Sequence, residues 1–202
     1  MRTSKQTGLE AESRLASLAS SAPQHYEVCI LAGGQSSRMG TDKSRLRLGR
    51  RTVVGHISAT ANAIGLQPRI IRADLVPRCG PLGGVHTALS TSRAETILFL
   101  SCDMPFLSAK LLKRLIGRLG RRKKALFVQE NGRMGFPFLL RRSTLDVVEQ
   151  QLAARQFSLR KLARALHAQT FSLPRGQVHE LFNINTPGDW KVARERWGSG
   201  TR

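Results

Sequence analysis

Residues 28–46, VCILAGGQSSRMGTDKSRL, decide how this chain is read. The apolar run Val28 to Leu31 breaks into the pair Gly33-Gly34, and Arg38, Gly40 and Lys43 follow. A buried strand that ends in glycines can press bare backbone N–H groups against phosphate oxygens, because no Cβ blocks the approach and positive φ is accessible. The spacing matches neither GxxxxGK[ST] nor a GxGxxG that opens a helix. Arg38 and Lys43 nevertheless lie within one loop's reach of the glycine pair, and Met39-Gly40 adds a second flexible point. A triphosphate would therefore meet backbone donors, a planar guanidinium fork and a flexible ammonium together.

Outward from this loop the pattern alternates between strand and helix. Glu27 to Leu31 reads as a buried strand, Thr52 to Gly65 places Val53, Val54, Ile57, Ala61 and Ile64 at helical spacing, and Arg69 to Arg72 is the next strand. Gly83 to Arg93 reads as a helix with Val85, Ala88 and Leu89 inward, and Thr96 to Ser101 (TILFLS) as a buried strand. Ser108 caps a helix that gathers Leu111, Leu112, Leu115 and Leu119 on one face. Ala125 to Glu130 and Phe136 to Arg141 are two strands joined through Asn131-Gly132, which predicts an antiparallel pair.

Ser143 to Ala154 opens with S-x-x-D and is expected to be helical, and Ser158 caps a second helix through about His167. Thr170 to Leu173 is the last strand. Thr186, Pro187 and Asp189 occupy the cap, first and third positions of a terminal helix reaching about Trp197. The alternation predicts an α/β fold: a mainly parallel sheet with an antiparallel part, and helices on both faces in three αβα layers. Residues 1–25, rich in Ser and Ala, are expected to be a mobile extension, 26–197 one domain, and 198–202 a tail.

Composition narrows the function classes. No apolar run approaches the roughly 20 residues of a membrane span, and the N-terminal segment lacks the apolar stretch of a secretory signal. A cytoplasmic protein without membrane contact is expected. Cys29, Cys79 and Cys102 are odd in number and form no CxxC pair, so they are expected to be reduced thiols in or near the core. Thirty-three Lys and Arg against 13 Asp and Glu give a net charge of +20, which attracts polyanions at low salt. The charge is nevertheless spread along the chain, with dense patches only at Arg47 to Arg51 and Gly117 to Lys124. No basic-aromatic alternation of the kind that stacks bases accompanies it, so specific nucleic-acid binding is not expected.

In a parallel sheet, ligands bind beyond the carboxyl ends of the strands, and the motifs fall on the loops that follow strands. Leu31, Ala32, Gly33 and Gly34 follow the first strand, Asp74 the second, and Asp103 the strand TILFLS. Asp103 is the best metal candidate, because Met104-Pro105 turns the chain so that the carboxylate faces the crevice. The competing reading is a cap on that turn or on the helix near Ser108. Asp74 is either a ligand of the nucleotide or a turn residue before Pro77. Gly80, Gly83 and Gly84 bracket Pro81-Leu82 at a helix start, where their N–H groups either receive an anion or permit tight packing. Asn183 and Asn185 flank Ile184 in an extended segment, so both side chains face one way.

Four segments together carry a resemblance. LAGGQSSRMGTDKSRL (31–46), GPLGG (80–84), CDMPFL (102–107) and NINTPGD (183–189) resemble, in this order and spacing, the molybdenum cofactor guanylyltransferases of MobA type. The resemblance implies a Rossmann-like nucleotidyltransferase fold and an Mg2+-dependent enzyme. It implies that the terminal phosphate of molybdopterin takes GMP from GTP and releases pyrophosphate. It further implies Lys43, Arg38 and Asp103 as catalytic residues and Asp103 as the Mg2+ ligand. Leu31, Ala32, Gly33, Gly34, Lys43, Asp74 and Asp103 would hold the nucleotide; Gly80, Gly83, Gly84, Asn183 and Asn185 would hold the acceptor. Molybdenum-insertion and molybdoenzyme-maturation proteins would be partners.

The family's SAN-like segment, whose Asn meets the nucleotide, has no counterpart in the short IIRADLVPRCGPLGG. LAGG with GPLGG favours guanine, since related cytidylyl enzymes tend to show LAAG. A cytidylyltransferase, a sugar-1-phosphate nucleotidyltransferase, and a non-catalytic basic regulator or nucleic-acid-associated protein on the same fold stand as alternatives.

Overall fold

The computed structural model describes residues 25–33 and 46–200. The N-terminal extension expected over residues 1–25, all but its last residue, and the loop residues Gly34, Arg38 and Lys43 lie outside the described residues.

Eight strands are present among the described residues: β1 (Tyr26–Leu31), β2 (Arg47–Leu48), β3 (Arg51–Thr52), β4 (Pro68–Ile71), β5 (Thr96–Ser101), β6 (Ala125–Glu130), β7 (Arg133–Arg141) and β8 (Gln169–Ser172). The helices are α1 (Val53–Asn62), α2 (Pro81–Thr91), α3 (Ala109–Arg118), α4 (Leu145–Ala153), α5 (Leu159–Ala165) and α6 (Pro187–Gly198). Six strands form one sheet in the order β4-β1-β5-β7-β6-β8. β4, β1 and β5 pair in parallel, β7 runs antiparallel to both β5 and β6, and β8 is parallel to β6. Within this sheet only β7 is therefore reversed, and the carboxyl ends of the other five share one edge.

The period-2 alternation of the central strands builds the three layers. Val28, Ile30, Leu98, Leu100, Leu126 and Val128 face one side, where α1, α3 and α6 supply Val54, Ile57, Leu111, Leu115 and Ala193. Cys29, Leu31, Ile97, Phe99, Ala125 and Phe127 face the other, where α2, α4 and α5 supply Leu82, Val85, Leu89, Val148 and Leu162. Fully burying such a side chain contributes about 1.5–3 kcal/mol, so each strand is held from both faces.

Local signals set most boundaries. Thr52 caps α1 by accepting from Gly55 N at 3.0 Å, and Ser108 caps α3 by accepting from Leu111 N at 3.1 Å. Thr186 and Asp189 form a reciprocal capping box on α6. The Asn131-Gly132 turn has positive φ at both residues, 48° and 74°, as a two-residue hairpin requires.

Other details depart from expectation. Ser143 does not cap α4; Arg142–Thr144 form a 3-10 turn in which Thr144 Oγ1 donates back to Arg141 O. Helix α2 begins at Pro81, two residues earlier than its apolar spacing implied, because Pro is accommodated in a first turn. The basic stretch Arg47 to Arg51 is a small β2–β3 hairpin, with Gly49 at φ +58 set against Trp197. Burial of Leu48, at 1% exposure, anchors it.

Candidate active site

The carboxyl edge of the sheet collects the expected motifs. Leu31 and Ala32 end β1 between its two neighbours: Ala32 N donates to Ile71 O at 2.8 Å, and Cys102 N donates to Leu31 O at 3.2 Å. The end of β1 is thus held on both sides, in the middle of β4-β1-β5. The chain resumes at Leu46, whose carbonyl accepts from Val53 N at 2.8 Å.

Asp74 lies in the short connection between β4 and α2, where three glycines make room for it. A Cβ at Gly33 would stand 3.4 Å from Asp74 Oδ1, one at Gly84 3.3 Å from the same oxygen, and one at Gly83 2.8 Å from Oδ2 and 2.6 Å from Val76 O. Gly83 is therefore demanded by close packing rather than by its dihedral angles. Gly84 also accommodates Leu31, whose Cδ2 would be 3.2 Å from an added Cβ. Burial holds the Asp74 carboxyl above its ordinary range. Gly80, at φ +56, is exposed at the start of α2, whereas Gly83 and Gly84 are buried under Asp74 and Leu31.

Asp103 follows β5 and is partly buried. Ser101 Oγ donates to its Oδ1 at 2.6 Å, which fixes the carboxylate rotamer. Met104 is fully buried and Pro105 is buried, so the chain turns into the core immediately after the carboxylate. Ser108, not Asp103, caps α3.

Two anchors bring the NINT segment to this point. Glu180, 7% exposed at the end of the 3-10 segment Arg175–Leu181, accepts from Ser108 N at 3.0 Å. Ile184 N then donates to Asp103 O at 2.9 Å. Ile184 is buried while Asn183 and Asn185 are exposed, which is the alternation expected of an extended segment. Asn183 lines a cavity of about 590 Å3 together with Glu130, Arg133, Met134, Phe136 and Leu181. Asn185 lies outside that lining; its N–H donates to Asp189 Oδ2 in the α6 cap at 3.0 Å.

The cavity residues Glu130, Arg133 and Phe136 were not singled out from sequence, and neither was Ser101. Asn131-Gly132 signalled a turn, but only the insertion of β7 between β5 and β6 shows that the turn opens at the functional edge. The dense basic stretch ending at Lys124 lies at the opposite edge, where Arg141 donates to Lys123 O at 3.0 Å and to Arg121 O at 3.3 Å and pairs with Glu95.

All three cysteines are free thiols, and burial, reinforced by Glu27, pushes Cys29 up to about 12. No cluster of three or more metal-ligating side chains occurs among the described residues. A single carboxylate, oriented by a hydroxyl, still suits a hard cation that keeps most of its waters and takes further oxygens from a polyphosphate.

Comparison with known proteins bears on the family and the fold. A profile of the family described as MobA-like NTP transferase domain matches residues 28–74 and 68–170. The molybdenum cofactor guanylyltransferase of Xanthomonas euvesicatoria pv. vesicatoria is 32% identical over 176 residues, which cover 80% of this chain and 90% of that protein. The molybdenum cofactor guanylyltransferase of Rhizobium leguminosarum bv. trifolii is 31% identical over 195 residues, covering 83% and 90%.

Among solved structures, molybdopterin-guanine dinucleotide biosynthesis protein A from Archaeoglobus fulgidus superposes with a TM-score of 0.74 at 20% identity, covering 86% of this chain and 99% of that one. The 2-C-methyl-D-erythritol 4-phosphate cytidylyltransferase from Thermus thermophilus reaches 0.63 at 15% identity, covering 85% and 98%. At these identities the structural likeness concerns the fold alone.

Proposed function

Because this chain belongs to the MobA-like NTP transferase domain family, we propose that it is a molybdenum cofactor guanylyltransferase that transfers GMP from GTP to the terminal phosphate of molybdopterin. The observation that supports the reading is that Asp74 and Asp103 follow β4 and β5, the two strands that flank the end of β1, at the edge where nucleotides bind in such sheets. This reading treats 26–197 as one nucleotidyltransferase unit.

An acceptor phosphate oxygen attacks the α-phosphorus of GTP, the bond from that phosphorus to the bridging oxygen of the β-phosphate breaks, and pyrophosphate leaves. Positioning and charge neutralisation supply most of the catalysis in such a transfer. The residues from Leu31 to Gly34 offer backbone donors to the triphosphate, and Arg38 and Lys43 its countercharge. Asp74, seated on Gly33, Gly83 and Gly84, holds the nucleoside.

Asp103, oriented by Ser101, would hold Mg2+. When bound, that ion neutralises charge at the α-phosphate and leaving pyrophosphate. The cavity beside Asn183 receives the acceptor: Phe136 and Met134 offer an apolar wall to a flat heterocycle, and Arg133 offers a guanidinium to its phosphate. Gly80, Gly83, Gly84 and Asn185 are further proposed contacts of the acceptor. Proteins that insert molybdenum or take up the finished cofactor are the expected macromolecular partners.

The test is direct. The protein is incubated with molybdopterin, magnesium and each of the four nucleoside triphosphates, and pyrophosphate and dinucleotide are quantified. Guanine dinucleotide formed from GTP in preference to CTP is the expected result. Preference for CTP, or transfer only to a sugar phosphate, overturns the substrate assignment.

A further inference from the structure

We infer that Thr87 is a positioning residue that clips the Asp74 loop to the first turn of α2 and thereby sets this chain's affinity for GTP. The inference rests on the nucleotide-holding role proposed above for Asp74.

Asp74 makes no hydrogen bond or ion pair among the described residues, and burial alone perturbs its carboxyl. Its orientation is therefore determined by the main chain on either side of it and by the glycines beneath it. On one side, β4 ends at Ile71, tied to Ala32. On the other, Leu75 N donates to Thr87 Oγ1 at 2.8 Å, and Thr87 Oγ1 donates to Gly83 O at 2.9 Å. The hydroxyl carries one proton, so this arrangement uses its single donor and one acceptor site.

Gly83 is the residue whose missing side chain makes space for Asp74 Oδ2. Thr87 thus ties the residue after the carboxylate to the carbonyl of the residue on which that carboxylate rests. It is 8% exposed, so water competes poorly for either bond.

Back-bonding of a helical Ser or Thr to the carbonyl four residues earlier is common, and Ser90 and Thr91 do the same in α2. Thr87 differs because its oxygen also receives a bond from the loop. The rest of that loop is loosely covered: Leu75 is 61% exposed.

The experiment measures GTP affinity at fixed magnesium, and steady-state kinetics, for the full chain and for Thr87→Val, Thr87→Ser, Asp74→Asn and the Asp74→Asn/Thr87→Val double variant. Thr87→Val preserves shape but removes both bonds, and is expected to weaken GTP roughly five- to tenfold, the scale of one net hydrogen bond, with kcat unchanged at saturating GTP. Thr87→Ser retains the hydroxyl and is expected to bind as the parent does. In the Asp74→Asn background, Thr87→Val is expected to add less than about twofold, because residues acting as a unit are non-additive.

Full additivity of the two losses, or unchanged GTP affinity in Thr87→Val while Asp74→Asn binds weakly, overturns the clip alone. Unchanged affinity in Asp74→Asn overturns the reading of Asp74 on which it rests. Hydrogen exchange of the Leu75 amide in the parent protein is a check independent of how the valine variant folds: protection supports the clip, and exchange at the rate of an open loop overturns it.

Discussion

The backbone N–H of Ile184 donates to the carbonyl of Asp103 across 2.9 Å, joining two segments that are far apart in sequence. The bond holds the segment that carries Asn183, which lines the cavity proposed for the acceptor, against the backbone of the residue proposed to hold the metal. Asn183→Ala is therefore expected to lower kcat/KM for the acceptor about tenfold, the value of one or two lost hydrogen bonds, and to leave GTP affinity intact. Titrating each substrate separately checks this. A loss confined to GTP would place Asn183 on the nucleotide side.

Ser101 and Asp103 form the next testable pair. Asp103→Asn removes the charge that anchors a hard cation, so activity is expected to fall at least a hundredfold while the melting temperature stays near that of the parent. Ser101→Ala leaves the carboxylate but removes the hydroxyl that donates to it. It is expected to raise the magnesium concentration needed for half-maximal activity by about 10–100-fold, the usual cost of losing an outer-shell partner. Near-normal turnover of Asp103→Asn at saturating magnesium would refute the metal assignment.

Asp74 should cost the fold something. Burial raises its carboxyl above the ordinary 3.8, so the folded state favours the neutral form more than the unfolded chain does. The cost of ionisation is absent below pH 3.8, grows as pH rises from there, and is complete above the folded-state value. Asp74→Asn is thus expected to melt at the same or a higher temperature than the parent at pH 7, with any gain vanishing in acid, although it binds GTP poorly. A clear drop in melting temperature at pH 7 would contradict this.

Glu27 behaves in the opposite sense. Burial raises its carboxyl, but hydrogen bonds from Ser92, Cys29 and Arg69, with the Arg69 charge, prevail and hold it below the ordinary 4.5. Its stabilisation is therefore complete above pH 4.5 and is lost as pH falls through the lower folded-state value. Glu27 links β1 to β4 and to the end of α2, so Glu27→Gln is expected to lose about 1–3 kcal/mol at pH 7. Denaturant unfolding should show the gap between parent and variant closing below pH 4.5.

Lys43 follows the glycine pair in the sequence, and a point charge on a flexible stem suits a polyphosphate. Lys43→Ala is expected to weaken GTP far more than GMP in equilibrium binding. Equal losses for both would mean that Lys43 acts through loop shape.

The elements legible in the sequence are those with a local cause. TILFLS is a strand because it is an unbroken apolar run, Asn131-Gly132 is a hairpin turn because both residues accept positive φ, and Thr186, Pro187 and Asp189 start a helix because each meets a backbone need of its first turn. That Asp74 and Asp103 fall on loops at the carboxyl edge was readable for the same reason, since each comes shortly after a strand. Ser143 misled, because a capping sequence also suits the 3-10 turn that the end of β7 imposes.

What the sequence by itself determined is therefore the alternation of elements, the apolar faces that make three layers, and the loops on which chemistry falls. Tertiary structure alone decided that the second strand of the predicted hairpin, β7, inserts between β5 and β6, so that Glu130, Arg133 and Phe136 open beside Asn183. It alone showed that Gly83 leaves room for Val76 O and Asp74 Oδ2, that Thr87 ties Leu75 N to Gly83 O, and that Ser101 donates to the Asp103 carboxylate. These relations depend on which strands become neighbours and on approaches of about 3 Å between residues distant in the chain, and neither local propensity nor hydrophobic period encodes such distances.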